Sequence, residues 1–121
     1  MDWTYVITFI AVVIAFFLVK MAGQISVSAA RQHLRDGALV IDVRTATEFE
    51  SRHLPKAINI PSSEIETYLP RRVTDKSRVL LLHCQSGMRS GVAKKTMRKL
   101  GYTNTFNLGS FNRAFKIVSS R

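Results

Sequence analysis

A single cysteine, Cys84, rules out an intramolecular disulfide framework, so packing alone must hold the core together. Acidic side chains are scarce as well: eight Asp and Glu stand against eighteen Lys and Arg, for a formal net charge of +10. That balance favours anionic partners, whether small anions, nucleic acid or an acidic lipid surface, although a solubilising basic surface has the same composition. Aromatic residues are not interleaved with the basic ones, so a base-stacking platform is missing and nucleic acid is not expected as a partner. There is no internal repeat, low-complexity tract or long linker, and 121 residues support one small domain and little else.

Charge is missing altogether from residues 3–19, WTYVITFIAVVIAFFLV, which also hold no proline and no glycine. The run is apolar around its whole helical circumference, so it is not an amphipathic helix. It sits at the short end of the range for a bilayer span, and Met21 and Ala22 extend it if Lys20 snorkels to the interface. Trp3 and Tyr5 suit the interfacial layer at one end. A cleaved signal peptide fits less well, because Asp2 is the only early charged side chain and a small-x-small cleavage site is poor; a buried core helix is a third reading. The sequence therefore predicts a transmembrane anchor over residues 1–23, contacting the membrane through 3–22, ahead of a domain over 24–121. Lys20, Arg31 and Arg35 follow the run and no Lys or Arg precedes it, which predicts a single-pass membrane protein with its domain on the cytoplasmic side. No G-x-x-x-G pattern marks the run for self-association.

Beyond it, residues 25–27 are a candidate strand, and Ser28 a candidate cap for a helix that Gly37 ends. Residues 38–43 (ALVIDV) and 78–83 (RVLLLH) read as buried strands, 57–60 as a short strand before Pro61, and 105–108 as a last strand. Helices are predicted over 46–51, from the capping-box pattern Ser63-Glu64-Ile65-Glu66 to Pro70, over 90–100 and over 111–118. In the helix over 90–100, Val92, Ala93, Thr96, Met97 and Leu100 are assigned inward and Lys94, Lys95, Arg98 and Lys99 outward. The alternation predicts an α/β domain with a mostly parallel central sheet flanked by helices and a reactive site at the C-terminal strand ends.

His83-Cys84-Gln85-Ser86-Gly87-Met88-Arg89-Ser90 joins the strongest strand to the strongest helix. Cys84 then lies under a helix N-terminus, where free backbone N–H groups and the helix dipole favour an anion and lower a thiol pKa. Gly87 permits a tight loop, Arg89 adds a permanent cation that can fork onto an oxyanion, and Ser90 is a good N-cap. Position alone leaves a buried structural thiol equally open. His83 points to the opposite strand face and is not assigned as a base; His53 is read as a structural hydrogen-bonding residue. Arg44 is expected to pair with Glu48.

The run Cys84 to Ser90 resembles the active-site loop of the rhodanese family. A second signature agrees: Ile41-Asp42-Val43-Arg44, then Glu48-Phe49, His53-Leu54-Pro55 and Ala57-Ile58-Asn59-Ile60-Pro61. The resemblance runs from about Ile25 to Gly109 and implies a rhodanese-like fold with Cys84 as the catalytic, sulfur-carrying nucleophile. It further implies that Gln85, Ser86, Gly87, Met88, Arg89 and Ser90 bind substrate, with Asp42, Arg44 and Glu48 in support. The implied reaction takes sulfur from a small anionic donor such as thiosulfate or a persulfide and passes it to a thiol or cyanide. It requires no metal and no organic cofactor.

Related phosphatases and arsenate reductases carry a loop one residue longer, so the five-residue step from Cys84 to Arg89 favours sulfur transfer. A persulfide carrier or sensor with little turnover, serving an unidentified membrane or sulfur-relay protein, is the alternative from another class. The chain departs from the family where 51–57 (SRHLPKA) lacks both usual glycines, and where Ser110 and Phe115 replace a Gly and a Trp. These departures bear on turn shape and substrate preference more than on chemistry.

Overall fold

The computed structural model describes residues 2–119, and the side chains of all of these except 20–22. Along the chain run α1 (Trp3–Ala22), α2 (Val27–Arg35), β1 (Leu39–Asp42), α3 (Ala46–Ser51), β2 (Ile58–Asn59), a 3-10 turn (Ser62–Glu64), α4 (Ile65–Arg72), β3 (Leu80–Cys84), α5 (Met88–Lys99), β4 (Thr105–Ser110) and α6 (Phe111–Ser119). The four strands form one parallel sheet in the order β2-β1-β3-β4. This is the α/β architecture that the alternating pattern predicts.

Strand alternation sorts the core into two layers. Ile41 on β1 and Leu80, Leu82 and Cys84 on β3 pack on one face with Ile65 and Leu69 of α4 and Ala93 and Met97 of α5. Val40 and Leu81 point the other way, onto Ala30 of α2 and Phe111, Ala114 and Ile117 of α6. With helices covering both faces, the sheet interior can be buried on both sides, as β3 is along its whole length.

Several boundaries differ from the sequence reading. Residues 25–27 form no strand: Ile25 donates one backbone bond to the Asn107 carbonyl, and Ser26, not Ser28, caps α2 by accepting from the Ala29 N–H. The side-chain capping box lies at Thr45 and Glu48, which cap α3, while α4 starts without a side-chain cap and carries Pro70 inside it. A proline there deletes only one bond to the first turn, so the helix continues to Arg72. α5 starts at Met88, earlier than expected, and its buried stripe is Ser90, Ala93 and Met97. Val92 therefore faces solvent, 65% exposed, instead of inward. Lys56, standing where the family resemblance expects glycine, takes the left-handed region at φ 64°.

The expected membrane anchor requires correction. Residues 3–22 do fold as the helix α1, and its large apolar side chains, from Trp3 to Val19, are mostly exposed. Yet among the described residues no helix is long and apolar enough to cross a membrane. At 1.5 Å per residue the uncharged run 3–19 covers about 25 Å, short of a hydrocarbon core of about 30 Å. The structure therefore does not bear out a single-pass span or the cytoplasmic orientation that depends on it. The idea that Lys20 snorkels, with Met21 and Ala22 lengthening the run, concerns side chains outside those described.

Candidate active site

β3 is buried along its whole length and delivers Cys84 to its C-terminal end, beside β1 on one side and β4 on the other. The chain then turns through Gln85 and Ser86 to Gly87, which has φ 92° and serves as the N-cap of α5. A Cβ on Gly87 would stand 3.2 Å from the Gly109 backbone, so both the conformation and the space call for glycine. The loop is tied to β4 by a bridge between Ser86 and Ser110. Opposite it, the β3–β4 register shifts between Leu82 and His83, so that His83 pairs with Gly109. Such irregularities re-aim side chains next to functional loops.

The thiol of Cys84 is the focus of this turn. It is fully buried, and its Sγ accepts the Gly87 N–H at 2.9 Å, with the Ser90 hydroxyl at 3.5 Å. Burial is the largest single influence and pushes the thiol pKa up. The Ser90 hydroxyl and the backbone N–H groups of Ser90, Gly87 and Ser86 together outweigh it and hold the pKa below the ordinary cysteine value. A sulfur anion at this point is thus stabilised by neutral donors at a helix start, and the arrangement suits a nucleophilic thiolate.

Ser90 does not cap α5. Its hydroxyl points inward, 2.7 Å from Asn107 Oδ1 and 3.1 Å from the Gly87 carbonyl. Asn107, buried on β4, ties the assembly together. Its Oδ1 also accepts the Gly109 N–H at 2.8 Å, and its Nδ2 donates to the Gly87 carbonyl at 3.2 Å. The sequence reading missed Asn107. The available signal was a lone amide inside a strand pattern, TFNLGS, where a buried polar side chain demands partners.

Arg89 does not fork onto the Cys84 loop. Its Nη1 and Nη2 donate to Glu48 Oε1 and Oε2 at 2.7 and 3.1 Å, a bidentate pair that holds the Glu48 carboxyl down to about 2. Glu48 raises the Arg89 pKa in turn, with a smaller contribution from the facing Cys84. Arg44, expected to pair with Glu48, instead binds Asp42: Nη2 donates to Oδ2 at 2.7 Å and Nε to Oδ1 at 3.0 Å. Its guanidinium also lies over the Phe111 ring at 4.7 Å and reaches the Arg52 carbonyl. The His83 ring is buried 3.7 Å from Asp42 Oδ2, and neither ring nitrogen has a hydrogen-bond partner. Burial pushes the His83 pKa down despite the Asp42 charge. His53 stacks on Phe49 and contacts the Phe49 carbonyl, away from the thiol loop's hydrogen bonds.

Among the residues assigned to the site, Gly87 and Ser90 hydrogen-bond Cys84 Sγ, and the Ser86 backbone N–H adds to the lowering of its pKa. Gln85 and Ser86 are exposed and Met88 is 64% exposed, so they form the outer rim. Glu48 reaches the loop through Arg89, while Asp42 and Arg44 form a separate buried pair at the end of β1. No cluster of three or more metal-ligating side chains occurs among the described residues.

The chain is similar to several known proteins. The thiosulfate sulfurtransferase PspE of Escherichia coli strain K12 is 36% identical over 69 residues, covering 57% of this chain and 66% of the relative. The thiosulfate:glutathione sulfurtransferase of Saccharomyces cerevisiae is 31% identical over 78 residues, 55% of this chain and 56% of that one. The chain thus spans somewhat under two thirds of the length of these relatives. The solved human single-domain sulfurtransferase TSTD1 superposes with a TM-score of 0.66 at 28% identity, covering 78% of this chain and 96% of that one. The sequence profile described as the Rhodanese-like domain matches residues 26–114, most of the chain, and the chain belongs to that family.

Proposed function

We propose that residues 24–121 act as a sulfurtransferase in which Cys84 carries the sulfur. The Cys84 thiolate attacks the outer sulfur of an anionic donor such as thiosulfate, and sulfite leaves with the electron pair of the broken S–S bond. A thiol or cyanide then removes the outer sulfur from the Cys84 persulfide and regenerates the thiolate. Ser86, Gly87 and Ser90 stabilise the anionic sulfur through their N–H and O–H groups. Gln85 and Met88 shape the mouth. Arg89, held by Glu48, fixes the start of α5 and contributes positive potential for an anionic donor. Asp42 and Arg44 support the neighbouring strand end. No step calls for a metal or an organic cofactor.

The observation that carries this reading is the convergence of uncharged donors on one buried sulfur, with Gly87 N–H at 2.9 Å. A buried thiol admits a narrow sulfane sulfur or cyanide more readily than a bulky ester. Intact-mass analysis of the full chain after incubation with thiosulfate tests it. One added sulfur, absent from Cys84→Ser and removed by cyanide, is expected; no adduct from thiosulfate or from glutathione persulfide would overturn it.

The full burial of Cys84 also supports a second reading, a persulfide carrier that protects its sulfur and turns over slowly. A high persulfide occupancy with negligible release to cyanide would select it.

A further inference from the structure

α5 presents solvent with a stripe that joins apolar to cationic side chains. Met88 and Val92 are 64% and 65% exposed, and Lys95 and Lys99 continue the same side of the helix. Spacings of four, three and four residues keep these side chains in line over about 16 Å. The stripe begins at the mouth of the Cys84 loop, since Met88 directly follows Gly87. α5 carries no Asp or Glu, and neither Lys95 nor Lys99 joins an ion pair among the described residues. Two large apolar side chains exposed beside a reactive thiol, followed by unpaired cations, are poorly explained by stability. Such positions in a solvated helix face favour polar residues.

We propose that this face of α5 docks the sulfur acceptor, and that the acceptor is an acidic protein segment presenting a cysteine. The proposal rests on the sulfurtransferase reading and names its partner. Met88 and Val92 receive apolar side chains that flank the partner's cysteine, while Lys95 and Lys99 pair with its carboxylates. Charge complementarity selects a polyanionic segment, because the chain carries +10 overall, α5 itself holds no acidic residue, and the nearby Glu48 is already taken up by Arg89. In the transfer step the acceptor thiolate attacks the outer sulfur of the Cys84 persulfide. A bond forms between those two sulfurs, and the bond from the outer sulfur to Cys84 Sγ breaks. The electron pair stays on Sγ as the thiolate, and the acceptor leaves as a persulfide. The acceptor sulfur is oxidised as Cys84 is reduced, so no further oxidant is needed.

The test compares two synthetic peptides as acceptors for the full chain preloaded with thiosulfate. One has a cysteine flanked by leucine and glutamate; in the other, glutamine replaces glutamate. The acidic peptide is expected to show kcat/KM about tenfold higher at low ionic strength, with the preference collapsing in high salt. Lys95→Glu combined with Lys99→Glu abolishes the preference, and Val92→Ser lowers transfer to both peptides. All variants keep the thiosulfate-to-cyanide rate. Equal rates for the two peptides, or a preference that survives the double lysine change, would overturn the proposal. Should Cys84 take no sulfur at all, the sulfurtransferase reading fails and docking is read separately. Fluorescence anisotropy of the same peptides, with serine in place of cysteine, then supports docking if Lys95→Glu with Lys99→Glu weakens binding of the acidic one. Equal binding overturns it.

Discussion

The C-terminal ends of β1 and β3 lie side by side in the sheet, yet they use their polar groups differently. At the end of β1, Asp42 and Arg44 neutralise one another through a bidentate buried pair, and Asn59 caps the adjoining carbonyls of Asp42 and Arg44. At the end of β3, among the described residues, no charged group touches Cys84 through a hydrogen bond. Instead Ser86, Gly87 and Ser90 aim neutral donors at its sulfur, and Asn107 fixes two of them from behind. The first arrangement is closed, with its charges already matched. The second is open, in that its donors wait for negative charge on one atom. On the proposed reading, reactive potential follows convergence of donors on one atom, not density of charge.

The largest expected effect comes from breaking the closed end. Asp42→Ala leaves the Arg44 guanidinium buried without its partner and should cost about 3–5 kcal/mol, read as a lower urea midpoint with unchanged slope. A loss within experimental error would mean that the β1 end is not a matched pair. Next, Asn107→Leu removes the acceptor of the buried Gly109 N–H and one of the donors to the Gly87 carbonyl, for an expected loss of about 1–3 kcal/mol in the same assay. Ser90→Ala acts on the open end itself. It should raise the pH midpoint of Cys84 alkylation, because a donor that lowers the thiol pKa is gone. An unchanged midpoint would remove Ser90 from the anion-stabilising set.

The smallest effect belongs to Glu48, whose side chain is about a third exposed. Its pKa falls from 4.5 to about 2 on folding, so the pair with Arg89 stabilises the protein above pH 5, and that contribution is lost as pH drops from about 5 towards 2. Solvent screening limits it to about 1 kcal/mol or less. Glu48→Gln should flatten that part of the pH–stability curve; a curve identical to the parent's would show the pair to be inert.

The strands and the thiol loop were legible because their signals are local. Residues 38–43 and 78–83 are apolar runs with little competing pattern, and Cys84 to Ser90 is contiguous. What escaped was set by contacts between distant segments. Arg89 and Glu48 are 41 residues apart, and only the folded geometry tells that Arg89, not Arg44, occupies that carboxylate. Asn107 serves a loop 17 to 20 residues before it. Ser90 looked like a cap because its residue type caps helices, but Gly87 in the left-handed conformation starts α5 and frees Ser90 to turn inward. The apolar run 3–19 has the composition of a span without its length.

The central claim is that Cys84 takes up one sulfur because neutral donors stabilise an anion there. Intact-mass analysis after thiosulfate treatment, run across pH on the parent chain, Ser90→Ala and Cys84→Ser, tests it most directly. The account predicts one added sulfur on the parent, the same adduct on Ser90→Ala with its pH midpoint displaced upward, and none on Cys84→Ser. A parent chain that remains unmodified at every pH would contradict it.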